Sequence, residues 1–208
     1  MRFDDVVIAS LSSVHAPERV RTADLEAQLD LRKLGLLPGT LGALSGIEAR
    51  RFFPPQINPS DAATEAAVEA LEGIDRSRIG LLINTSVCRD FVEPSTACLV
   101  HGNLGLPGEC LNFDIANACL GFLNGMAIAA RMLERRDVDY ALIVDGESSR
   151  FIVEKTIERL QANDASPQTL RDNLATLTLG SGAAAALLTR GELCPEGHRF
   201  TGIVSLAA

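Results

Sequence analysis

The stretch "FDIANACLGFLNGMAIA", Phe113 to Ala129, decides how this chain is read. Together with Leu111 and Asn112 its first residues read as a strand, "LNFDIA". From Leu120 to Arg136 the run is apolar around most of a helical circumference, which marks a helix that must be buried. Cys119 stands where the strand gives way to the helix. Unpaired amides at a helix N-terminus and the positive end of its dipole favour a thiolate over a thiol. Ala116, Ala118 and Gly121 leave room for a thioester carbonyl to approach the sulfur, while Gly121 and Gly125 let another backbone pack closely. A cysteine within an apolar run is also commonly a core residue. The turn alone therefore leaves Cys119 as either a nucleophile or a core side chain.

Outward from this stretch, apolar runs alternate with helical ones. "VVIASL" (Val6 to Leu11), "IGLLINT" (Ile79 to Thr85) and "DYALIVDGE" (Asp139 to Glu147) read as strands, and "LGSGAAAALLTR" (Leu179 to Arg190) as a Gly-rich turn and a strand. The second lacks any alternation, as expected of a central strand covered on both faces. A helix is expected near Thr22, after which residues 35–46 read as a loop. Ser60 and Asp61 offer a cap for "DAATEAAVEALEGI", whose Glu65, Glu69 and Glu72 face water and whose alanines pack closely on a sheet. Pro94 and Ser95 open a short helix that Gly105 closes. The order βαβαβαβ with a late strand pair predicts an α/β layered fold with a mixed sheet. One domain over residues 1–208 is expected, with a surface insertion at 149–175 where Asn163, Asp164, Ser166 and Pro167 interrupt the pattern. "GIVSLAA" (Gly202 to Ala208) begins a last strand.

Composition limits the function classes. The 208 residues, 47% of them hydrophobic, suffice for a sizeable core. The formal net charge of −8, with the 19 Lys and Arg never clustered beyond a pair, argues against nucleic acid as a partner. No apolar run suits a secretory signal or a membrane span, so a cytoplasmic protein is expected. The five cysteines include no CxxC pair and are expected as reduced thiols. The three histidines lie at no metal-ligand spacing, so no metal site is expected.

The sequence resembles the thiolase superfamily, specifically the ketoacyl synthase III branch of condensing enzymes. The stretch around Cys119 carries the likeness together with "RDFVEPSTACLV" (Arg89 to Val100), and "SGIEARRF", "SDAATEAAVEAL" and "LGSGAAAALL" follow it in order. Within the branch, "LLINTSVCRDFVEPST", "ANACLGFLNGMAIAARMLER" and "DYALIVDGE" are similar to the enzymes of long-chain olefin biosynthesis, which join two fatty acyl-CoA molecules head to head. The resemblance implies a thiolase-like fold and a cysteine acyltransferase. Cys119 would accept the first acyl chain as a thioester, and a second acyl-CoA would supply the attacking α-carbanion. Acyl-CoA is then a substrate, and no cofactor is expected. The alternatives are a decarboxylative 3-oxoacyl synthase III fragment, or a non-catalytic acyl-binding subunit of the same fold.

Two unactivated acyl-CoAs need a base for the α-proton. The resemblance points to Glu93 in "RDFVEPS", reaching the site of a partner subunit in a homodimer. An apolar acyl channel would raise its basicity. On the residues alone, a solvated loop glutamate before Pro94 is the better reading of Glu93. Most other candidates have plain readings: Cys98 as core, Asp145 and Glu147 as strand-end groups facing water, and His101 as a helix-surface residue; Arg50 and Arg51 resemble a family motif near the cofactor entrance and are equally well a pair of solvated arginines. The histidine and asparagine of the family's second half have no matching motif here. A missing C-terminal half or a complementing chain is therefore expected to supply them and to cover the apolar helix. The chain by itself is expected to acylate Cys119 but not to condense.

Overall fold

The structure, a computed structural model, describes residues 1–162 and 164–206. Asn163, expected in the surface loop, and Ala207 and Ala208, expected to end the last strand, lie outside the described residues. In chain order the elements begin with β1 (Val6–His15), β2 (Glu18–Arg21), α1 (Thr22–Glu26), α2 (Thr40–Ser45), β3 (Ala49–Phe52) and α3 (Pro59–Ala70). There follow β4 (Ile79–Asn84), α4 (Thr96–Leu104), β5 (Leu111–Asp114), α5 (Gly121–Glu134) and β6 (Tyr140–Glu147). The chain continues through α6 (Arg150–Gln161), α7 (Pro167–Asn173), β7 (Gly182–Arg190) and β8 (His198–Arg199). Two compact units result: Met1–Val14, Asn58–Glu147 and Ala183–Ala208 form the first, and His15–Ile57 with Ser148–Gly182 the second.

The first unit is built on a six-stranded sheet in the order β5-β4-β6-β7-β1-β8. β4 runs parallel to both β5 and β6, whereas β8 is antiparallel to β1, so the sheet is mixed. The unbroken apolar run of β4 has the cause expected of it: Leu81, Leu82 and Ile83 are all fully buried. The strand nevertheless sits one place in from the edge, not at the centre, because β5 alone lies outside it.

On one face α3 lays Ala62, Ala63, Ala66 and Ala67 against β6, and the small side chains permit close approach. Gly146 shows how close: a Cβ there would stand 2.1 Å from the carbonyl oxygen of Pro59. Ser10 and Ser12 of β1 donate to the carbonyls of Ala70 and Ala66 at 2.5 and 2.6 Å. The cap of α3 is Asn58, with Asp61 completing a capping box from the third helical position. Ser60, expected as the cap, instead turns to Asp90.

On the other face α5 contributes Met126, Ala129, Ala130 and Leu133 to a cluster with Leu81, Ile83, Ala141, Ile143, Ala186 and Leu188. Each large side chain so buried contributes roughly 1.5–3 kcal/mol. The expected terminal strand is reduced to a single bridge between Arg2 and Gly202.

The second unit pairs β2 with β3 in an antiparallel ribbon and adds α1, α2, α6 and α7. The stretch read as a loop over 35–46 contains the short α2. Its start is held by Glu26, whose carboxylate accepts the amides of Gly39 and Leu41 at 2.7 and 2.6 Å. From α6 and α7, Leu160, Ile157, Val153 and Leu170 close a core with Leu25, Leu34, Leu41 and Phe52.

Candidate active site

The carboxyl ends of three neighbouring strands, β5, β4 and β6, lie at one edge of the first unit's sheet, because β4 is parallel to both its neighbours. Such an edge is where open α/β sheets place ligands. The loops leaving it carry the residues singled out by sequence.

Cys119 lies in a 3-10 turn, Ala118–Leu120, that joins β5 to α5. It is exposed in this chain. The helix proper begins two residues later, at Gly121, so the thiol precedes the helix N-terminus instead of sitting inside its first turn. Ala118 has a φ of +44°, a backbone region unfavourable to a residue with a side chain. Two contacts hold this strained turn. Gly121 packs on the backbone of Thr85, and Asn117 Nδ2 donates to Asn124 Oδ1 at 2.5 Å, tying the turn to the helix.

Glu93 lies on the loop between β4 and α4, which carboxylates brace from three sides. Glu147 accepts the amides of Val87 and Cys88 at 2.6 and 3.0 Å. Asp90 accepts from the Ser60 amide and hydroxyl at 3.1 and 2.6 Å. Asp114, the last residue of β5, accepts the amides of Thr96 and Ala97 at the start of α4 and a hydrogen from Asn84 Nδ2. Ser95 caps that helix by accepting the Cys98 amide, and Gly105 ends it in the left-handed region, as the sequence predicts. Between these anchors Glu93 is exposed at the tip beside Phe91 and Val92, the latter 88% exposed, and it makes no hydrogen bond or ion pair among the described residues. Glu93 and Cys119 thus depart from the same edge on adjacent strands, and no hydrogen bond joins them within the chain.

Beneath the two loops lies a polar layer that the sequence did not reveal. Asn84, Thr85 and Ser86 are almost wholly buried at the end of β4. Ser86 donates to Asn84 Oδ1, and Thr85 donates to Asp145 Oδ2 at 2.8 Å. Burial, reinforced by the neighbouring charge of Glu147 and opposed by the Thr85 bond, pushes the Asp145 carboxyl up to about 6. Asp145 and Glu147 therefore do not simply face water. The signal was a run of small polar residues, "NTS", following an apolar strand.

The remaining candidates separate. Cys98, expected in the core, is exposed on α4. Cys110 is buried, and burial pushes its thiol up to about 11. His101 is half-buried, with Nε2 3.0 Å from the Pro107 carbonyl. Arg50, expected in solvent beside Arg51, is buried. The helix α5 buries one face only: its Leu123 and Ile128, with Leu120 of the preceding turn, remain 45%, 42% and 49% exposed. Leu120, Leu123 and Asn124 border a shallow concavity of about 120 Å³ with residues 203–206. No helix among the described residues is long and apolar enough to cross a membrane.

Residues 113–205 match the family described as 3-oxoacyl-[acyl-carrier-protein] synthase III. Over its whole length the chain is 48% identical to an acyl-CoA:acyl-CoA alkyltransferase of Xanthomonas campestris pv. campestris, and it spans 63% of that protein. A protein of the same name from Shewanella oneidensis is 40% identical over 93% of the chain, which covers 56% of it. A crystal structure of Xanthomonas campestris OleA bound with cerulenin superimposes with a TM-score of 0.96 at 48% identity, covering all of this chain and 64% of that one. The chain has the thiolase-like fold and is similar over its whole length to the OleA-like condensing enzymes, spanning 63% of the length of the Xanthomonas protein.

Proposed function

We propose that this chain is the acyl-accepting part of a condensing acyltransferase that joins two fatty acyl-CoAs without decarboxylation, in hydrocarbon biosynthesis. The exposed Cys119, held in a strained turn immediately before the amides of α5, carries the reading. The thiolate attacks the carbonyl of the first acyl-CoA, and the CoA thiolate leaves and takes up a proton. Glu93 then removes an α-proton from the second acyl-CoA. The resulting carbanion attacks the Cys119 thioester, a carbon–carbon bond forms, and the cysteine thiolate departs. The α-carbon of an unactivated thioester is a weak acid, so the step needs a carboxylate of raised basicity in a water-poor channel. Such a setting requires Glu93 to leave the solvent it faces here.

A homodimer supplies that setting. β5 is an edge strand, short and free of proline, with Leu111 51% exposed, and edge pairing through a two-fold axis extends the sheet and brings the Glu93 loop toward a neighbour. A second half, in the same protein or a complementing chain, covers Leu120, Leu123 and Ile128 and provides the oxyanion donors. The protein works in the cytoplasm, where acyl-CoA is its substrate and no cofactor is required. Acyl-CoA stands as donor ahead of an acyl-carrier protein because the two alkyltransferases, at 48% and 40% identity, are more similar to the chain than a β-ketoacyl-[acyl-carrier-protein] synthase III at 32%. The match of residues 113–205 to the synthase III family supports a second, decarboxylating reading.

Free-thiol release and carbon dioxide release separate the two readings. With a long-chain acyl-CoA the chain should liberate about one equivalent of CoA per cysteine site, lost in Cys119→Ala. Malonyl-CoA should give no carbon dioxide with the acylated protein. Carbon dioxide release without an acyl-CoA burst would replace the proposal by the decarboxylating reading.

A further inference from the structure

We infer that Asn117 and Asn124 are a positioning pair for Cys119, so that the reactivity of the thiol depends on the hydrogen bond between their side chains. The inference rests on the reading of Cys119 as the acyl acceptor. Ala118, directly before the cysteine, has its φ of +44° in the region that favours glycine. A residue so strained persists only where its surroundings over-determine it. Asn117 restrains the turn from both its backbone and its side chain. Its carbonyl accepts the Leu120 amide at 3.1 Å and closes the 3-10 turn around Cys119. Its Nδ2 reaches past the cysteine and donates to Asn124 Oδ1 at 2.5 Å. No other side chain over residues 116–123 makes a hydrogen bond or ion pair among the described residues.

Asn124 runs against its local setting. It is the fourth residue of α5, and asparagine is a weak helix former. Its neighbours at helical spacing, Leu120 four residues before and Ile128 four after, are apolar and partly exposed, as is the adjoining Leu123. Alanine or leucine would suit that face of the helix better. What asparagine adds is a polar group that the helix tilts toward its own N-terminus, where Asn117 meets it. Asn117 is exposed and Asn124 half-buried, so water competes for both amides and the bond adds little to global stability. Its effect is local. The bond fixes the sulfur relative to the free amides at the start of α5, which favour a thiolate, and holds it in one place for attack on a thioester carbonyl.

Alkylation of the whole chain at limiting iodoacetamide and neutral pH tests the pair, with Cys98 as internal reference because it is exposed on a different helix. Asn124→Ala should lower the ratio of Cys119 to Cys98 labelling about tenfold, toward the reactivity of an unpositioned thiol. Its urea midpoint should equal or exceed that of the parent, because alanine is the better helix former. Asn117→Ala should lower the ratio by a similar factor, and the double variant should fall no further than either single one, since all three lose the same bond. Should Asn117→Ala fail to fold, Asn124→Ala alone decides. A lower midpoint with an unchanged labelling ratio would show a merely structural bond and overturn the inference, as would losses that add in the double variant. Alkylation uses no acyl-CoA, so failure of this test strikes the pair alone. Failure of the unaltered chain to form an acyl-enzyme on Cys119 strikes the proposed function alone.

Discussion

Gly121, the first residue of α5, rests on Thr85 at the end of β4, so closely that a Cβ on the glycine would lie 2.9 Å from the Thr85 carbonyl oxygen and 3.3 Å from its Cβ. The obstacle is backbone, which cannot rotate aside. Gly121→Ala should therefore push the start of α5 away from the sheet, at a cost of about 1–3 kcal/mol typical of overpacking. The displacement falls on the turn that holds Cys119. Urea unfolding would show the lost stability, and a slower reaction of Cys119 with iodoacetamide would show the displaced turn. Unchanged values of both would mean that the contact relaxes freely.

Thiol reactivity should divide the cysteines by position. Cys119, exposed before the helix amides, should label first at limiting iodoacetamide, ahead of the equally exposed Cys98 within α4. Cys110, buried and with its pKa raised to about 11, should label only after denaturation. Peptide mapping distinguishes the sites. Equal labelling of Cys98 and Cys119 would remove the special status of the turn.

Asp145 should leave a signature in the pH dependence of stability. Its pKa rises from an ordinary 3.8 to about 6 on folding, chiefly through burial. Between these values the folded state holds a proton that the unfolded state has released, so stability falls as pH rises through that window. Asp145→Asn keeps an acceptor for Thr85 and removes the titration. The variant should gain stability relative to the parent between about pH 4 and about pH 7, with little change above that range. Denaturation midpoints of the two proteins across the range check this, and a constant difference would contradict it.

Much of the first unit was legible because its signals are local. The β4 run lacks alternation, α4 has Ser95 before it and Gly105 after it, and the alanines of α3 recur at helical spacing. The edge of strands that gathers Cys119 and Glu93 follows from those elements once the family likeness supplies their pairing. The second unit was less legible. β2 and β3 are ribbons of four residues whose charged side chains hide the alternation, and α2 is a short helix whose start depends on Glu26, distant in sequence. Arg50 read as solvated because burial of an arginine depends on tertiary neighbours that no local pattern records. The polar layer of Thr85 and Asp145 stayed hidden for the same reason.

Asp114 is predicted to be the brace that aligns α4, and with it the Glu93 loop, on the sheet. It accepts three hydrogen bonds, from Thr96, Ala97 and Asn84. Asp114→Ala leaves two helix-terminal amides and a buried amide group without their acceptor, so a loss of about 2–4 kcal/mol is expected. Hydrogen exchange should quicken at Thr96 and Ala97 before it quickens in β6. Uniform acceleration across the sheet would instead show a general loss of packing.

If the site is shared across a dimer, Cys119→Ala and Glu93→Ala variants of the complete protein, each nearly inactive in condensation, should recover part of the activity when mixed and allowed to exchange subunits. A mixed dimer holds one site with both residues intact. Mixtures that stay inactive, although mass spectrometry shows mixed dimers, would place Glu93 in the same subunit as its site or outside the chemistry.

The acyl-enzyme itself is the most direct test. The chain, or the complete protein where one exists, is incubated with a long-chain acyl-CoA, digested, and its acylated peptide located by mass spectrometry, with hydroxylamine used to cleave any thioester. One acyl group is expected, on Cys119, removable by hydroxylamine and absent from Cys119→Ala. An acyl group on another cysteine, or none on Cys119 while acyl-CoA is being consumed, would contradict the assignment of Cys119 as the nucleophile.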